Sequence, residues 1–283
     1  MTNKFKIFFL LLFIMTTSFN KLYSQELDID PLYRIQLLIQ MQEYNSAIDF
    51  TKALNDSLKC QKNEILGFTY GKMEKYDLAI KHYENYIEQC NPSSIQRINL
   101  GDNYFKTRQF LKAKEQFQIV DKTDINYPLA QYNLGMIEYE SNNKTEAVKH
   151  FVSSISNSKN GTLDFLYVDM LIKTLTELKD YDKAFKNIDV VLSFWNENSD
   201  EYKYALILKA SIYGAKGEYK KAISELDNII NTGIDNEIVL IEAYSYQLDY
   251  YFKLKNQNKA CDIYQKLLEL KPDIEILKEY KCK

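Results

Sequence analysis

Residues 75–80 read KYDLAI, and variants of this hexapeptide recur along the chain. An aromatic residue is followed three positions later by an alanine, and usually next by an aliphatic residue. The copies are EYNSAI at 43–48, QFLKAK at 109–114, DYDKAF at 180–185 and EYKKAI at 218–223, with weaker forms KTEAV at 144–148 and NKACD at 258–262. The alanines are Ala47, Ala79, Ala113, Ala147, Ala184, Ala222 and Ala260, with spacings of 32, 34, 34, 37, 38 and 38 residues. A period near 34 residues with helical patterning predicts stacked helix-turn-helix units.

The pattern resembles the tetratricopeptide repeat, because further positions of that family recur in phase with the alanines. Leu-Gly pairs stand at 66–67, 100–101 and 134–135, and Tyr70, Tyr104 and Tyr213 follow at the aromatic position. The resemblance covers about residues 28–274 and outweighs a coiled coil, which would not repeat glycine with this period. It implies an all-α, right-handed superhelical solenoid of about seven units. We number them repeats 1–7 and expect them at about 28–61, 60–93, 94–127, 128–161, 165–198, 203–236 and 241–274, followed by a polar capping helix at 275–283.

Small residues in the first helix of a repeat are expected to face the repeated alanines of the second helix, so that the two helices approach closely. These small residues are Gly67, Gly101, Gly135 and Ala210. Repeat 5 departs from the pattern because Ile172 stands where a small residue is usual. Extra residues at about 162–164, 199–202 and 237–240 are interpreted as short insertions between repeats.

The first 24 residues predict a signal peptide. Lys4 and Lys6 precede the apolar run from Ile7 to Met15, and small polar residues follow before a cleavage point after Ser24. The run is about half of the roughly 20 residues that a spanning helix needs, so an integral membrane anchor is disfavoured. We therefore expect residues 25–283 to be exported, as a periplasmic or cell-envelope-associated protein of a bacterium or a secreted protein.

Charge and composition exclude several functions. Removing residues 1–24 takes away three lysines and no acid, so 36 basic residues become 33 against 39 acidic ones, a net charge of −6. Bases are interleaved with acids rather than clustered, which argues against nucleic-acid binding. With two histidines and four scattered cysteines, no metal-ligand spacing or nucleophile pair occurs. We expect no enzyme activity, no metal and no cofactor, and treat His82 and His150 as ordinary helix residues.

The repeat frame suggests a disulfide pairing. Four cysteines allow three connectivities, and export permits disulfides to persist. Cys60 opens the first helix of repeat 2 and Cys90 closes its second, while Cys261 lies in the last repeat helix and Cys282 on the cap. We therefore predict the bonds Cys60–Cys90 and Cys261–Cys282, each worth about 3 kcal/mol. Four buried free thiols remain the alternative.

In the family that the chain resembles, the outward face of the first helices lines a concave groove. Carried over to this sequence, the groove positions are Phe68, Lys72, Asp102, Phe105, Lys106, Tyr132, Asn133, Met136, Tyr139, Lys173, Glu177, Tyr204, Ile207, Ser211, Asp249, Phe252 and Lys253. The Lys and Asn clamp of members that grip a chaperone's carboxyl terminus is missing, since Glu64, Phe68, Ile98 and Asp102 stand at the corresponding positions. Aromatic groove residues suit a peptide or helix from a partner protein. They could instead fill the centre of the superhelix or pack on the neighbouring repeat.

These observations favour a non-catalytic scaffold that binds a protein or peptide segment, in an assembly of a bacterial cell envelope. A carbohydrate-binding envelope protein that uses Trp195, a partner-dependent periplasmic sensor component and a hydrolase remain alternatives. Trp195 is more simply interpreted as a packing residue. The partner and the oligomeric state stay open, because a repeat scaffold defines the geometry of recognition and leaves the ligand undetermined.

Overall fold

The computed structural model describes residues 30–158, 165–280 and 282, and within these residues all regular structure is helical. The predicted signal peptide lies outside the described residues. The chain divides into two compact units at residue 109, inside the predicted repeat 3. We call them the N-terminal unit, up to Gln109, and the C-terminal unit, from Phe110 onward.

Among its described residues, 30–109, the N-terminal unit contains five α-helices that pack mainly against their neighbours in sequence. A short 3-10 helix at Asp56–Leu58 precedes the third of them. The helices are α1 (Pro31–Gln40), α2 (Tyr44–Ala53), α3 (Lys59–Lys72), α4 (Tyr76–Gln89) and α5 (Ser94–Lys106).

The C-terminal unit continues the same alternation and ends in a helix of four residues. Its helices are α6 (Phe110–Gln118), α7 (Tyr127–Glu140), α8 (Lys144–Asn157), α9 (Phe165–Glu177), α10 (Tyr181–Leu192), α11 (Asp200–Ala215), α12 (Tyr219–Asn231), α13 (Glu237–Lys253), α14 (Gln257–Leu270) and α15 (Ile276–Glu279). Each predicted repeat thus contributes a first helix, from α1 to α13 in odd numbers, and a second helix.

The same turn joins the two helices of every repeat. The residue five positions before each repeated alanine has a left-handed backbone, with φ between 57° and 83°. These residues are Gln42, Glu74, Arg108, Asn142, Lys179, Gly217 and Lys255. The next backbone N–H bonds back to the carbonyl five residues earlier, as from Lys75 to Tyr70 and from Glu218 to Tyr213. This is the Schellman helix end, and it recurs at the same position before each of the seven alanines.

Glycines in the first helix allow the two helices of a repeat to pack closely. Gly67 and Gly135 each make room for the aromatic ring four residues after the repeated alanine. A Cβ on Gly67 would lie 2.9 Å from the Tyr83 ring, and one on Gly135 would lie 2.5 Å from the Phe151 ring. Both rings are almost fully buried.

In two repeats the position of this glycine holds a larger residue, and the residue four positions after the alanine is aliphatic rather than aromatic. In repeat 5 the large Ile172 shares a buried cluster with Ile188, and in repeat 6 Ala210 shares one with Leu226. Repeat 5 therefore packs as a hairpin despite its departure from the pattern, since the two side chains share the available volume.

Two of the predicted insertions are helical. Residues 200–202 and 237–240 form the first turns of α11 and α13, and Ser199 caps α11. At 16 and 17 residues these are the longest described helices. The interval 162–164 lies outside the described residues.

Both disulfides form as the repeat frame predicts. Cys60–Cys90 joins the start of α3 to the end of α4 with a Cα–Cα distance of 5.9 Å, and Cys261–Cys282 ties the chain end to α14 at 5.4 Å. The predicted capping helix is helical only at Ile276–Glu279, and its inner side is apolar rather than polar, because Leu277 is buried in the cluster of repeat 7.

Candidate functional site

A cleft of about 350 Å³ opens in the C-terminal unit between the first helices of repeats 5, 6 and 7. We call it the C-terminal cleft. Its walls are α9, α11 and α13, which contribute Asp169, Ile172, Lys173, Thr176, Leu208, Ser211, Gly214, Ala215, Glu242, Tyr246, Asp249, Tyr250 and Lys253.

Helical periodicity explains why these side chains meet. On α13, Glu242, Tyr246, Asp249 and Lys253 follow each other at intervals of 4, 3 and 4 residues, so they form one stripe along the helix. Asp169 and Lys173 are four residues apart on α9 and share a face in the same way. The polar stripe of α13 thus borders the cleft while its other faces enter the core.

Close packing at one glycine forms the floor of the cleft. A Cβ on Gly214 would lie 2.2 Å from the hydroxyl end of Tyr250, so only glycine leaves room for this ring. Tyr250 is buried, and its ring centre lies 5.7 Å from that of Tyr219 and 5.9 Å from that of Tyr246. The tyrosines form an aromatic wall beside the carboxylates.

Two carboxylates in the C-terminal cleft are partly desolvated. Burial raises the pKa of Asp169, and the ammonium of Lys173 and the Tyr204 hydroxyl, 3.5 Å away, oppose this rise. Burial and the negative charge of Asp169 raise the pKa of Glu242. Within the described part of the chain, neither carboxylate forms an ion pair with Lys or Arg. Only the nearby charge of Lys173 offsets the burial of Asp169, and burial remains the largest influence on both carboxylates.

The hydroxyl of Tyr246 connects the carboxylate side of the cleft to α11. It forms side-chain hydrogen bonds with Ser211 and Glu242. Burial, followed by the charge of Glu242, raises its pKa, so the hydroxyl stays protonated at neutral pH and remains a donor. The Asp249 carboxylate at the end of the stripe is paired, with Oδ2 2.7 Å from the Lys253 ammonium.

A second, smaller cleft lies in the N-terminal unit. It has a volume of about 160 Å³, and we call it the N-terminal cleft. Its lining residues are Gly67, Phe68, Gly71, Lys72, Tyr76, Tyr83, Asn99, Asp102 and Asn103. Lys72 lies over the Phe68 ring, 5.3 Å from its centre. Burial raises the pKa of Asp102, and the charges of Lys106 and Lys72 oppose this rise.

Comparison with known proteins identifies the fold. A family model described as tetratricopeptide repeat matches residues 241–274, which form repeat 7. The C-terminal part of a tetratricopeptide repeat-containing protein from Cytophaga hutchinsonii is similar over 89% of this chain and 100% of its own, with a TM-score of 0.58 and 20% identity. The chain has the tetratricopeptide repeat fold.

Two further solved structures show the same likeness. A tetratricopeptide repeat protein from Parabacteroides merdae has a TM-score of 0.62 at 12% identity and covers 88% of this chain and 95% of its own. A Rap protein complexed with Competence and Sporulation Factor has a TM-score of 0.51 at 13% identity and covers 88% of this chain and 84% of its own. A search of curated proteins found no match.

The tetratricopeptide frame places some predicted groove residues together. Lys173, Ser211, Asp249 and Lys253 line the C-terminal cleft. In the N-terminal unit, Phe68, Lys72 and Asp102 line the smaller cleft, while Lys106 is exposed and Phe105 half-buried on α5. Whether any of these residues contacts a ligand stays a prediction.

Other predicted groove residues pack within the tetratricopeptide stack. Tyr132 lies 5.0 Å from Tyr167 and 5.8 Å from Phe151 between ring centres, and Met136 packs on the same cluster. The prediction for Ile207 was wrong, because this side chain is fully buried against α12. Asn133 is half-buried on α7.

Three further predicted groove residues, Tyr139, Tyr204 and Phe252, contact side chains outside their own repeat. The Tyr139 hydroxyl donates to Glu177 over 2.7 Å, and burial together with Glu177 raises the pKa of Tyr139 to about 12. Lys144 completes the contact with an ion pair to Glu177 of 2.9 Å. The Tyr204 ring packs at a tilt of 50° against Phe165, with 4.9 Å between ring centres. Phe252 stacks on Tyr280 of the chain end at 4.4 Å.

Sequence reasoning missed Asp169, Glu242, Tyr246 and Tyr250, which supply most of the chemistry of the C-terminal cleft. The signal that could have found them is the polar stripe of α13, because Glu242, Asp249 and Lys253 recur on one side of an otherwise apolar helix. The predicted groove positions were carried over from the family instead, and therefore reached only the end of this stripe.

The other features that the sequence analysis considered have structural places among the described residues. In this part of the chain, no group of three His, Cys, Asp or Glu residues could hold a metal ion, and no helix is long and apolar enough to cross a membrane. His82 and His150 occupy equivalent places, with Nδ1 2.9 Å from the side-chain oxygens of Asn63 and Gln131. Trp195 packs 5.9 Å from Phe165 between ring centres, as the packing interpretation predicts.

Proposed function

We propose that the chain is a non-catalytic tetratricopeptide scaffold and that a segment of a partner protein binds in the C-terminal cleft. One observation supports this proposal above all. The cleft is open, is walled by the first helices of three consecutive repeats, and combines the tyrosines 246 and 250 with the carboxylates of Asp169 and Glu242. Because helices rather than loops hold these groups, little ordering is needed on the scaffold side when a segment binds.

The same groups define the chemistry of the partner. A lysine or arginine side chain placed between Asp169 and Glu242 relieves the repulsion of two like charges and adds to the single nearby cation, Lys173. The tyrosine rings beside the carboxylates can contact the alkyl stem and the cation. The partner segment is therefore a basic one.

The structural neighbours support a binding role. The Rap protein that shares the fold was solved in complex with Competence and Sporulation Factor. At 13% identity this likeness concerns the fold alone, so the basic partner segment is inferred from the cleft of this chain.

We further propose that the scaffold works outside the cytoplasm, in a cell-envelope assembly. The signal-like first 24 residues and the two disulfides support this location, since disulfides persist in oxidising compartments.

Selection from a displayed library of random peptides tests the proposed function. Immobilised parent protein is compared with Asp169→Asn/Glu242→Gln, and the matched control Asp182→Asn/Glu201→Gln removes two exposed charges outside the cleft. We expect the parent and the control to enrich peptides with Lys or Arg, and the cleft variant to lose that enrichment. Equal enrichment of the same peptides by the cleft variant, or no enrichment by the parent, would overturn the proposal.

A further inference from the structure

The end of the chain fills a place on the first-helix face of repeat 7. The Tyr280 ring stacks on Phe252, with 4.4 Å between ring centres and an interplanar angle of 20°. Its hydroxyl donates a hydrogen bond of 2.6 Å to Oδ1 of Asp249. Phe252 and Asp249 are both groove positions by their place in the repeat. We call these two residues the tyrosine seat, and residues 276–282 the tail.

The tyrosine seat continues the C-terminal cleft. Asp249 lines the cleft, and its second oxygen, Oδ2, accepts from Lys253 over 2.7 Å. A segment that runs along α13 from Glu242 therefore reaches the seat within two helical turns. The tail occupies the end of the surface on which that segment would lie.

The Cys261–Cys282 disulfide cross-links the tail to α14. Its helix, α15, has four residues, which is too short to be stable alone. Leu277 is buried, and Ile276 and Tyr280 pack against the same cluster. The disulfide closes a loop over a sequence separation of 21 and so restricts the freedom of the detached tail.

We propose that the tyrosine seat is a binding subsite for a tyrosine side chain of the partner segment, and that Tyr280 fills it until the Cys261–Cys282 bond is reduced. This inference rests on the proposed function for the source of the incoming tyrosine. The reductant is a dithiol: its two thiols become a disulfide, and the two electrons and two protons convert the cystine to two cysteine thiols. The released tail then leaves Phe252 and Asp249 to the partner.

Hydrogen exchange of the full chain, without any ligand, tests whether the Cys261–Cys282 disulfide holds the tail in place. We expect amides 276–280 to exchange at least about tenfold faster in Cys261→Ser/Cys282→Ser than in the oxidised parent, while α13 keeps its protection. The matched control Cys60→Ser/Cys90→Ser removes the other disulfide and leaves the tail protected. If the tail amides stay protected in the first variant, or exchange equally fast in the control, the disulfide does not hold the tail in place and the proposal is contradicted.

Binding of a synthetic peptide tests the subsite. The probe copies residues 274–281, IEILKEYK, and the receptor is Cys261→Ser/Cys282→Ser/Tyr280→Ala, whose own tail cannot fill the seat. We expect saturable binding that is absent in the oxidised parent and is lost when the probe carries Ala for its Tyr. Equal binding to the oxidised parent, or equal binding of the Ala probe, contradicts the subsite. Neither measurement involves Asp169 or Glu242, so a failure here is distinguishable from a failure of the basic-segment proposal.

Discussion

The two clefts differ in size and in charge, although both lie on first-helix faces of the same repeat family. The N-terminal cleft, of about 160 Å³, has one carboxylate, Asp102, with Lys72 in its lining and Lys106 close by. The C-terminal cleft, of about 350 Å³, has three carboxylates, Asp169, Glu242 and Asp249, and two lysines, Lys173 and Lys253. The repeat thus provides a common frame, and a few side chains at its first-helix positions decide what each region can bind.

The largest expected effect concerns the Cys60–Cys90 disulfide of the N-terminal unit. Because Cys60–Cys90 closes a loop over a separation of 30 residues, its loss in Cys60→Ser/Cys90→Ser should cost about 3 to 4 kcal/mol of unfolding free energy. Hydrogen exchange in α3 and α4 under native conditions measures this cost. A loss below about 1 kcal/mol would mean that the hairpin is held by packing alone.

The next largest effect is the loss of stability when one glycine in the lining of each cleft is replaced by alanine. In Gly214→Ala the new Cβ meets the buried Tyr250 at 2.2 Å, so we expect a loss of about 1 to 3 kcal/mol. In Gly71→Ala the nearest atom, Oδ1 of Asn103, lies at 3.3 Å, and alanine's helix propensity of about 1 kcal/mol offsets this contact. Urea denaturation of both variants measures the difference. Equal losses would mean that Tyr250 can move, and that the floor of the C-terminal cleft is not rigid.

The repeats were predictable because a fully buried alanine recurs in the second helix of each one. The turns were not, since six of the seven left-handed residues are not glycine, so the sequence carries no turn signal at Gln42 or Lys179. The sequence did not predict which ring fills the space over each glycine, because helix crossing rather than sequence order brings Tyr83 over Gly67. The extra residues in the first turns of α11 and α13 were interpreted as insertions between repeats, because the repeat length was taken as fixed.

The site was less predictable than the fold. Family positions located Lys173, Ser211 and Asp249, because these lie on the same first-helix face in every repeat. Asp169 and Glu242 lie one turn or more before the corresponding positions on their helices. Their burial depends on how α9, α11 and α13 pack together, which no local pattern contains. The Phe252–Tyr280 stack depends on the tail, which lies outside the repeat pattern.

The smallest expected effect on stability comes from pH. Asp169 and Glu242 have raised pKa values in the folded chain, so the folded state binds protons more readily than the unfolded state. Stability should therefore fall as pH rises from the ordinary carboxylate pKa range through the raised values, and the penalty persists at neutral pH. Unfolding free energies of the parent and Asp169→Asn/Glu242→Gln across this range measure the effect. A double variant with the same pH slope as the parent contradicts it.

The most direct test of the central claim is the affinity of one arginine-containing peptide, taken from the library selection, measured by fluorescence anisotropy. The parent is compared with Asp169→Asn in the C-terminal cleft and with the matched change Asp102→Asn in the N-terminal cleft. Loss of a charge-assisted hydrogen bond of about 1.5 to 3 kcal/mol predicts at least about tenfold weaker binding for Asp169→Asn and unchanged binding for Asp102→Asn. Unchanged binding of Asp169→Asn, or equal weakening in both variants, would contradict the assignment of the C-terminal cleft as the binding site.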